Sequence, residues 1–255
     1  MHLLFATVTA NNEILPGVHL LEMYAPKLAQ SAQPGQYCML RCCDSLASDP
    51  LLRRAFFVHE IEVEQGICRL LVYRRGRGSD WLARQQVGAS LDLLGPLGHG
   101  WTLRPAVRNL LLLAEAPVLA SVHSLARLAL EQEVAVTLLS YIGPGEASYP
   151  AALLPPEIEY QVLQREESPD ILAEQMEAYL LWADEVCCSV SHETLQLLVP
   201  LSSKWRERHF AQVALWPPLI CASGACLSCQ IETRHGSRLI CRAGPVFSFN
   251  DLVEF

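Results

Sequence analysis

The sequence predicts an α+β multidomain chain: a small antiparallel β-barrel, an α/β domain with a parallel sheet, then a small metal-binding module. Three observations predict it. Short apolar runs separated by Gly, Pro, Asn and Asp turns fill residues 1–101. Between 102 and 210, apolar strands alternate with helical stretches, the pattern of βαβ units. In the last stretch, 211–255, four of the ten cysteines gather between Cys221 and Cys241.

The barrel strands are the runs LLFATVTA, HLLEMYA, QYCMLRC, AFFVHEIEV and ICRLLVYRR, spaced regularly enough for a small closed barrel. One helix interrupts them. Ser79 reads as its N-cap, Asp80 stands in its first turn, Trp81 and Leu82 open its apolar face, and Val87-Gly88 ends it. LDLLGPL then returns as a strand. In the second domain NLLLL is a buried strand, and Pro117 to Glu131 is a helix with proline at its start. AVTLLSY and EIEYQVLQ follow as strands and Asp170 to Met176 as a helix. AYLLWADEVCCSV holds a further strand, and HETLQLLVPLSSKW is helical.

Composition bounds the function. Hydrophobic residues make up 51% of the 255 residues and charged ones 18%, enough for sizeable cores and against disorder. A net charge of −8 argues against a nucleic-acid binder. The start lacks a basic segment and turns polar at Asn11-Asn12-Glu13, and no apolar run has the length of a membrane span. The expected location is the cytoplasm. Cys38, Cys42, Cys43, Cys68, Cys187 and Cys188 sit in apolar strand-like runs and read as core packing.

The chemistry lies in Cys221, Cys226, Cys229 and Cys241, spaced C-x4-C-x2-C-x11-C. Its opening is the plant-type pattern for a [2Fe-2S] cluster, each iron taking two thiolates. Ala222, Ser223, Gly224, Ala225 and Ser228 are small enough for a loop that curls around sulfides and frees N–H groups toward sulfur. A structural zinc, which usually uses two C-x2-C pairs, and a disulfide framework are the competing readings. A second signal is Tyr73 to Asp80, two glycines and three arginines leading into a helix. It reads either as a phosphate site or as a solvated turn. Arg53 and Arg54 add a further basic point.

These features occur in a recognisable order: Pro34-Gly35-Gln36-Tyr37, Leu51-Leu52-Arg53-Arg54, Val72-Tyr73, Gly76-Arg77-Gly78-Ser79, Gly95-Pro96-Leu97-Gly98-His99-Gly100-Trp101, the cysteine loop, and Cys241-Arg242-Ala243-Gly244-Pro245-Val246-Phe247. In that order the chain resembles the dihydroorotate dehydrogenase electron-transfer subunits, an iron–sulfur branch of the ferredoxin-reductase-like flavoproteins. The resemblance implies an FAD-binding barrel, a nicotinamide-nucleotide α/β domain, and a [2Fe-2S] module relaying electrons to a separate catalytic subunit, hence a hetero-oligomer. By position it implies that Arg54 meets the FAD pyrophosphate, that Tyr73 lies along the flavin or ribityl, that Gly78 and Ser79 hold phosphate, and that Phe57 and Val72 are also cofactor-binding.

The chain departs from that family in three places. Phe57 stands where the flavin motif carries a hydroxyl. Ala114-Glu115-Ala116-Pro117 replaces a glycine-rich loop after the strand NLLLL, and Cys187-Cys188-Ser189-Val190 replaces a Cys-Gly-Pro turn. A carboxylate near the expected phosphates and the missing glycines imply that NAD(P) binds poorly. Two other readings stay open: a regulatory protein that keeps the cluster without FAD or NAD(P), and a competent NAD(P)H-dependent flavin reductase. His99, Trp101, His235 and the Glu166-Glu167 pair are expected to have structural or solvated roles.

Overall fold

A computed structural model describes residues 2–164, 169–201, 203–207 and 209–253 of the chain. Alternating burial builds the first unit. Its strands are β1 (His2–Leu15), β2 (Val18–Tyr24), β3 (Tyr37–Leu40), β4 (Arg54–Phe57), β5 (Glu60–Glu62), β6 (Ile67–Tyr73) and β7 (Ser90–Leu97). Along β7, Leu91, Leu93, Gly95 and Leu97 point inward while their neighbours are more exposed, the period of two that a strand requires. The sheet order is β4-β3-β7-β1-β2-β6-β5, antiparallel throughout. It curls like a barrel, but β4 and β5 remain its two edges rather than closing the ring. Cys38, Cys42 and Cys68 are buried in its core with Leu21, Met23 and Leu93, as small hydrophobes.

Two short helices, α1 (Pro26–Ala29) and α2 (Arg77–Ala83), cover this sheet. Ser79 is not the cap of α2. The helix starts three residues earlier, after Gly76, and the Ser79 hydroxyl accepts from the N–H groups of Arg75 and Gly76 at 2.9 and 3.2 Å. It also stops at Ala83, short of the expected Val87. There the Asn11 side-chain amide donates to the carbonyls of Ala83 and Gln85 at 2.9 and 2.8 Å, so the helix end is satisfied from β1.

In the second unit β8 (Asn109–Glu115), α3 (Ala120–Glu131), β9 (Ala135–Ile142), β10 (Glu159–Gln164), α4 (Pro169–Trp182), β11 (Glu185–Ser189), α5 (His192–Leu198) and β12 (Ala211–Ala214) alternate. The sheet order is β10-β9-β8-β11-β12, all parallel, which the βαβ pattern anticipates. Helix α4 runs six residues beyond the expected Met176. The strand expected within AYLLWADEVCCSV is β11, and the helix takes the residues ahead of it: Met176, Leu180 and Ala183 are buried while Leu181 faces solvent, a helical period. The Glu166-Glu167 pair lies outside the described residues.

The cysteine segment leaves this sheet after β12 and returns to it. It forms the hairpin β13 (Gln230–Thr233) and β14 (Gly236–Leu239), then α6 (Ile240–Ala243), and β15 (Val246–Ser248) pairs antiparallel with β12. Trp101 joins the two large units. Its backbone N–H donates to Pro34 O at 2.8 Å and its indole N–H to Ser121 O on α3 at 2.6 Å. Gly35 makes room for it, since a Cβ there would come within 2.6 Å of the indole. Among the described residues no helix is long and apolar enough to cross a membrane.

Candidate functional site

The cysteine loop is shaped by its backbone. Ala222, Gly224 and Leu227 take positive φ values of 54°, 84° and 58°, and these reversals turn the loop N–H groups inward. Cys226 N–H donates to Cys221 Sγ at 3.5 Å, and Cys241 N–H to Cys229 Sγ at 3.5 Å. The thiols thus fall into two pairs, one near the surface and one buried. Among the described residues no three His, Cys, Asp or Glu side chains close around a single point.

The electrostatics of the pairs differ. The hydrogen bond from the Cys226 backbone, then those from Ser223, hold the Cys221 thiol down at about 5, so it is a thiolate at neutral pH. Burial pushes Cys241 up to about 11, reinforced by Cys229 beside it. Four thiols in two pairs, with N–H groups aimed at sulfur, fit a two-iron cluster. His235, in the turn between β13 and β14, is exposed and 3.2 Å from Asp251 Oδ1, a surface partner rather than a ligand. His99 is exposed and its N–H donates to Gly244 O at 2.6 Å, so it stands beside the cysteine segment and not over the barrel cavity.

Immediately before Cys221, Trp216 to Ile220 form one wall of a cavity of about 550 Å³. Its other wall is the barrel: Arg54, Tyr73, Arg75, Arg77, Gly78 and Ser79 all line it. Of these arginines, Arg77 pairs with Asp49 and Arg75 lies 3.7 Å from Glu146, while Arg54 has no carboxylate partner among the described residues. Gly78 is needed here, because a Cβ would sit 2.9 Å from Arg54 Cγ. The N–H groups of Arg75 and Gly76 already bond Ser79, which leaves anion binding to the guanidinium groups and the remaining backbone. Tyr73 donates to Ala116 O at 2.5 Å. Phe57 and Val72 do not line this cavity: Val72 is fully buried in the barrel core, and Phe57 stacks on Trp216 with ring centroids 3.8 Å apart.

A second cavity of about 720 Å³ opens at the carboxyl ends of β8, β11 and β12, where the strand order reverses. Glu115, at the end of β8, is buried beside it. Ser191, which caps α5, donates to Glu115 Oε1 at 2.9 Å, and the Thr194 hydroxyl donates to the same oxygen. The chain's own carboxylate therefore stands fixed at the place where a phosphate would need donors. Ser189 is fully buried with no hydrogen-bond partner for its hydroxyl among the described residues. Cys187 and Cys188 lie inside the sheet, their thiols raised by burial.

Trp216 lines both cavities, and sequence reasoning does not single it out. Its only sequence signal is the rigid Trp-Pro-Pro run just before the first loop cysteine. The Tyr37 ring meets it edge-on at 5.6 Å, and the Tyr37 hydroxyl donates to Cys241 O at 3.1 Å. Burial, and then the thiols of Cys241, Cys229 and Cys221, raises the Tyr37 hydroxyl well above its ordinary value, so it remains a donor.

Residues 218–253, which hold all four loop cysteines, match the iron–sulfur cluster binding domain of dihydroorotate dehydrogenase B. Over 95% of both chains, the protein is 27% identical to the dihydroorotate dehydrogenase B (NAD(+)) electron transfer subunit of Desulforamulus reducens. It is 26% identical, over 97% of both, to the subunit of that name from Geobacillus thermodenitrificans. Among solved structures, an NADH-dependent reduced ferredoxin-NADP oxidoreductase superposes with a TM-score of 0.77 at 17% identity, covering 98% of this chain and 90% of the other. The ferredoxin reductase of carbazole 1,9a-dioxygenase superposes with a TM-score of 0.62 at 18% identity, covering 78% and 64%. Both share the reductase fold.

Proposed function

Because the chain belongs with the electron transfer subunits of dihydroorotate dehydrogenase B, we propose that it relays electrons between FAD and a [2Fe-2S] cluster, to or from a catalytic partner resembling dihydroorotate dehydrogenase. The observation that carries this reading is adjacency. The wall of the barrel cavity, Leu219 and Ile220, runs directly into Cys221, so a flavin held there would stand beside the segment that carries the first cluster ligand. A bound flavin takes electrons in pairs and releases them singly, which a one-electron cluster requires.

The protein's own part is binding and orientation. Arg54, with Arg75 and Arg77 beside it, would hold the pyrophosphate of FAD, and Gly78 leaves room for the Arg54 side chain at the start of α2. Phe57 offers no hydroxyl to the flavin; its ring supports Trp216 instead. Cys221, Cys226, Cys229 and Cys241 supply the thiolates. Ile220 and Leu227, large apolar side chains 41% and 58% exposed beside these ligands, suit a face that docks a partner subunit. Glu115, pinned by Ser191 and Thr194, makes the second cavity a poor NAD(P) site. Ten unpaired cysteines support a cytoplasmic location.

The test is iron, acid-labile sulfide and flavin analysis of anaerobically purified protein. About two irons, two sulfides and one FAD per chain are expected. Absence of iron and sulfide after reconstitution overturns the reading. Iron without FAD favours the regulatory alternative, for which the Phe57–Trp216 stack is the supporting observation. Rapid flavin reduction on mixing with millimolar NADH or NADPH would instead establish a competent reductase.

A further inference from the structure

We propose that Tyr37, a barrel residue, is a positioning residue for the iron–sulfur cluster: its hydroxyl fixes the peptide of Cys241 and raises the potential at which the cluster takes an electron. The proposal rests on the function just given.

Tyr37 opens β3 and is fully buried. Cys241 is held from both sides of its Cα. Its N–H donates to Cys229 Sγ at 3.5 Å, and its carbonyl accepts from the Tyr37 hydroxyl at 3.1 Å. The second bond crosses 204 residues of sequence, so the barrel itself grips the fourth ligand. The ring is equally constrained. Trp216 stands edge-on at 5.6 Å, and a Cβ on Gly98 would come within 3.0 Å of Tyr37 Cε1.

The buried hydroxyl donates to the carbonyl of a cluster ligand and not to its sulfur, so it acts by fixing that peptide and drawing electron density from it, next to a centre that becomes more negative on reduction. In a site of low polarity such a dipole favours the reduced state, and hydrogen bonds around ligating sulfur are a recognised lever on potential. The same tyrosine touches Trp216, which walls the flavin cavity, so one side chain sets the geometry on both sides of the electron's path.

The decisive variant is Tyr37→Phe, which keeps the ring and its contact with Trp216 and removes the donor. Redox titration of the reduced-cluster paramagnetic signal should show a three- to tenfold lower ratio of reduced to oxidised cluster at a fixed poise near the midpoint, where tenfold corresponds to about 59 mV for one electron. The control is Gln36→Ala, which removes a neighbouring bond from Gln36 Nε2 to Gly98 O at 2.7 Å without touching the cysteine segment. It should lower thermal stability comparably and leave the potential unchanged. Folded Tyr37→Phe protein that fails to retain iron would support the positioning role in a stronger form. Equal potentials in wild type and Tyr37→Phe, both carrying full iron and sulfide, overturn this inference while leaving the proposed function standing. Wild-type protein that takes up no cluster overturns both.

Discussion

The cysteine loop and the second cavity both hang from the carboxyl end of β12, yet they treat polar groups in opposite ways. In the loop, N–H groups of Cys226 and Cys241 are aimed at the sulfur atoms of Cys221 and Cys229. In the cavity the hydroxyls of Ser191 and Thr194 are taken up by Glu115, a residue of the chain itself. The loop uses its donors to hold thiols that can serve as ligands to something from outside. The cavity satisfies its donors internally. Both regions keep the backbone of the reductase fold, so the difference lies in side-chain chemistry rather than architecture.

The largest effect is expected at the loop. Cys229→Ser removes the ligand shared by the C-x2-C pair and the buried pair, and iron and sulfide should fall to near zero while FAD stays bound through the separate arginine wall. Metal analysis with the flavin absorption spectrum checks it. Wild-type iron content in this variant would mean that the buried pair is core packing, and the contrast with the second cavity would collapse.

Glu115→Gln sharpens the other side. Glutamine keeps an acceptor for Ser191 and Thr194 and removes only the charge. Two like charges 4 Å apart repel by about 4 kcal/mol at an effective dielectric near 20, which sets the ceiling. A tightening of NADH binding by about tenfold, or roughly 1.4 kcal/mol, is the expected result in a calorimetric titration. Unchanged affinity would transfer the blame from charge to backbone, to the absence of a glycine between Ala114 and Pro117.

These two sites also show how far the sequence is legible. The four ligands are readable because thiolate spacing is a local, covalent constraint, and one short loop with a hairpin must bring them together. Parallel and antiparallel sheets are readable from period and alternation. Trp216 is not, because its importance comes from packing on Phe57, 159 positions earlier in the chain, and no local pattern encodes that contact. The role of Ser79 is misread for a related reason. A serine ahead of an apolar face looks like a cap, but Ser79 sits inside the first turn, where its hydroxyl accepts from the Arg75 and Gly76 N–H groups and donates to Gly76 O. Glu115 is flagged by its charge alone; that Ser191 and Thr194 fix it in place depends on β8 and β11 being neighbours.

The smallest effect concerns the frame that carries both sites. His59, between β4 and β5, stacks on His123 of α3 at 4.1 Å, and both are buried where the barrel meets the α/β unit. His59 Nε2 lies 3.1 Å from the Tyr149 hydroxyl, and His123 Nδ1 3.3 Å from His59 O, whereas His59 Nδ1 is buried with no hydrogen-bond partner among the described residues. Burial depresses both imidazoles. His123, Arg69 and Arg127 lower His59 further, while Glu60 partly offsets the shift at His123. Since the folded values lie below the ordinary one, the unfolded chain binds more protons in acid. The contribution of the pair is therefore intact above about pH 6.5 and is lost as pH falls below it, by up to about 1.4 kcal/mol per pH unit for each imidazole. Unfolding melts at pH 7.5 and 5.5 should differ by a few degrees, and His123→Phe, which keeps the stack, should roughly halve that difference. If the melts coincide, the pair is not a joint of the frame, and acid sensitivity of electron transfer would have to originate in the cysteine loop itself.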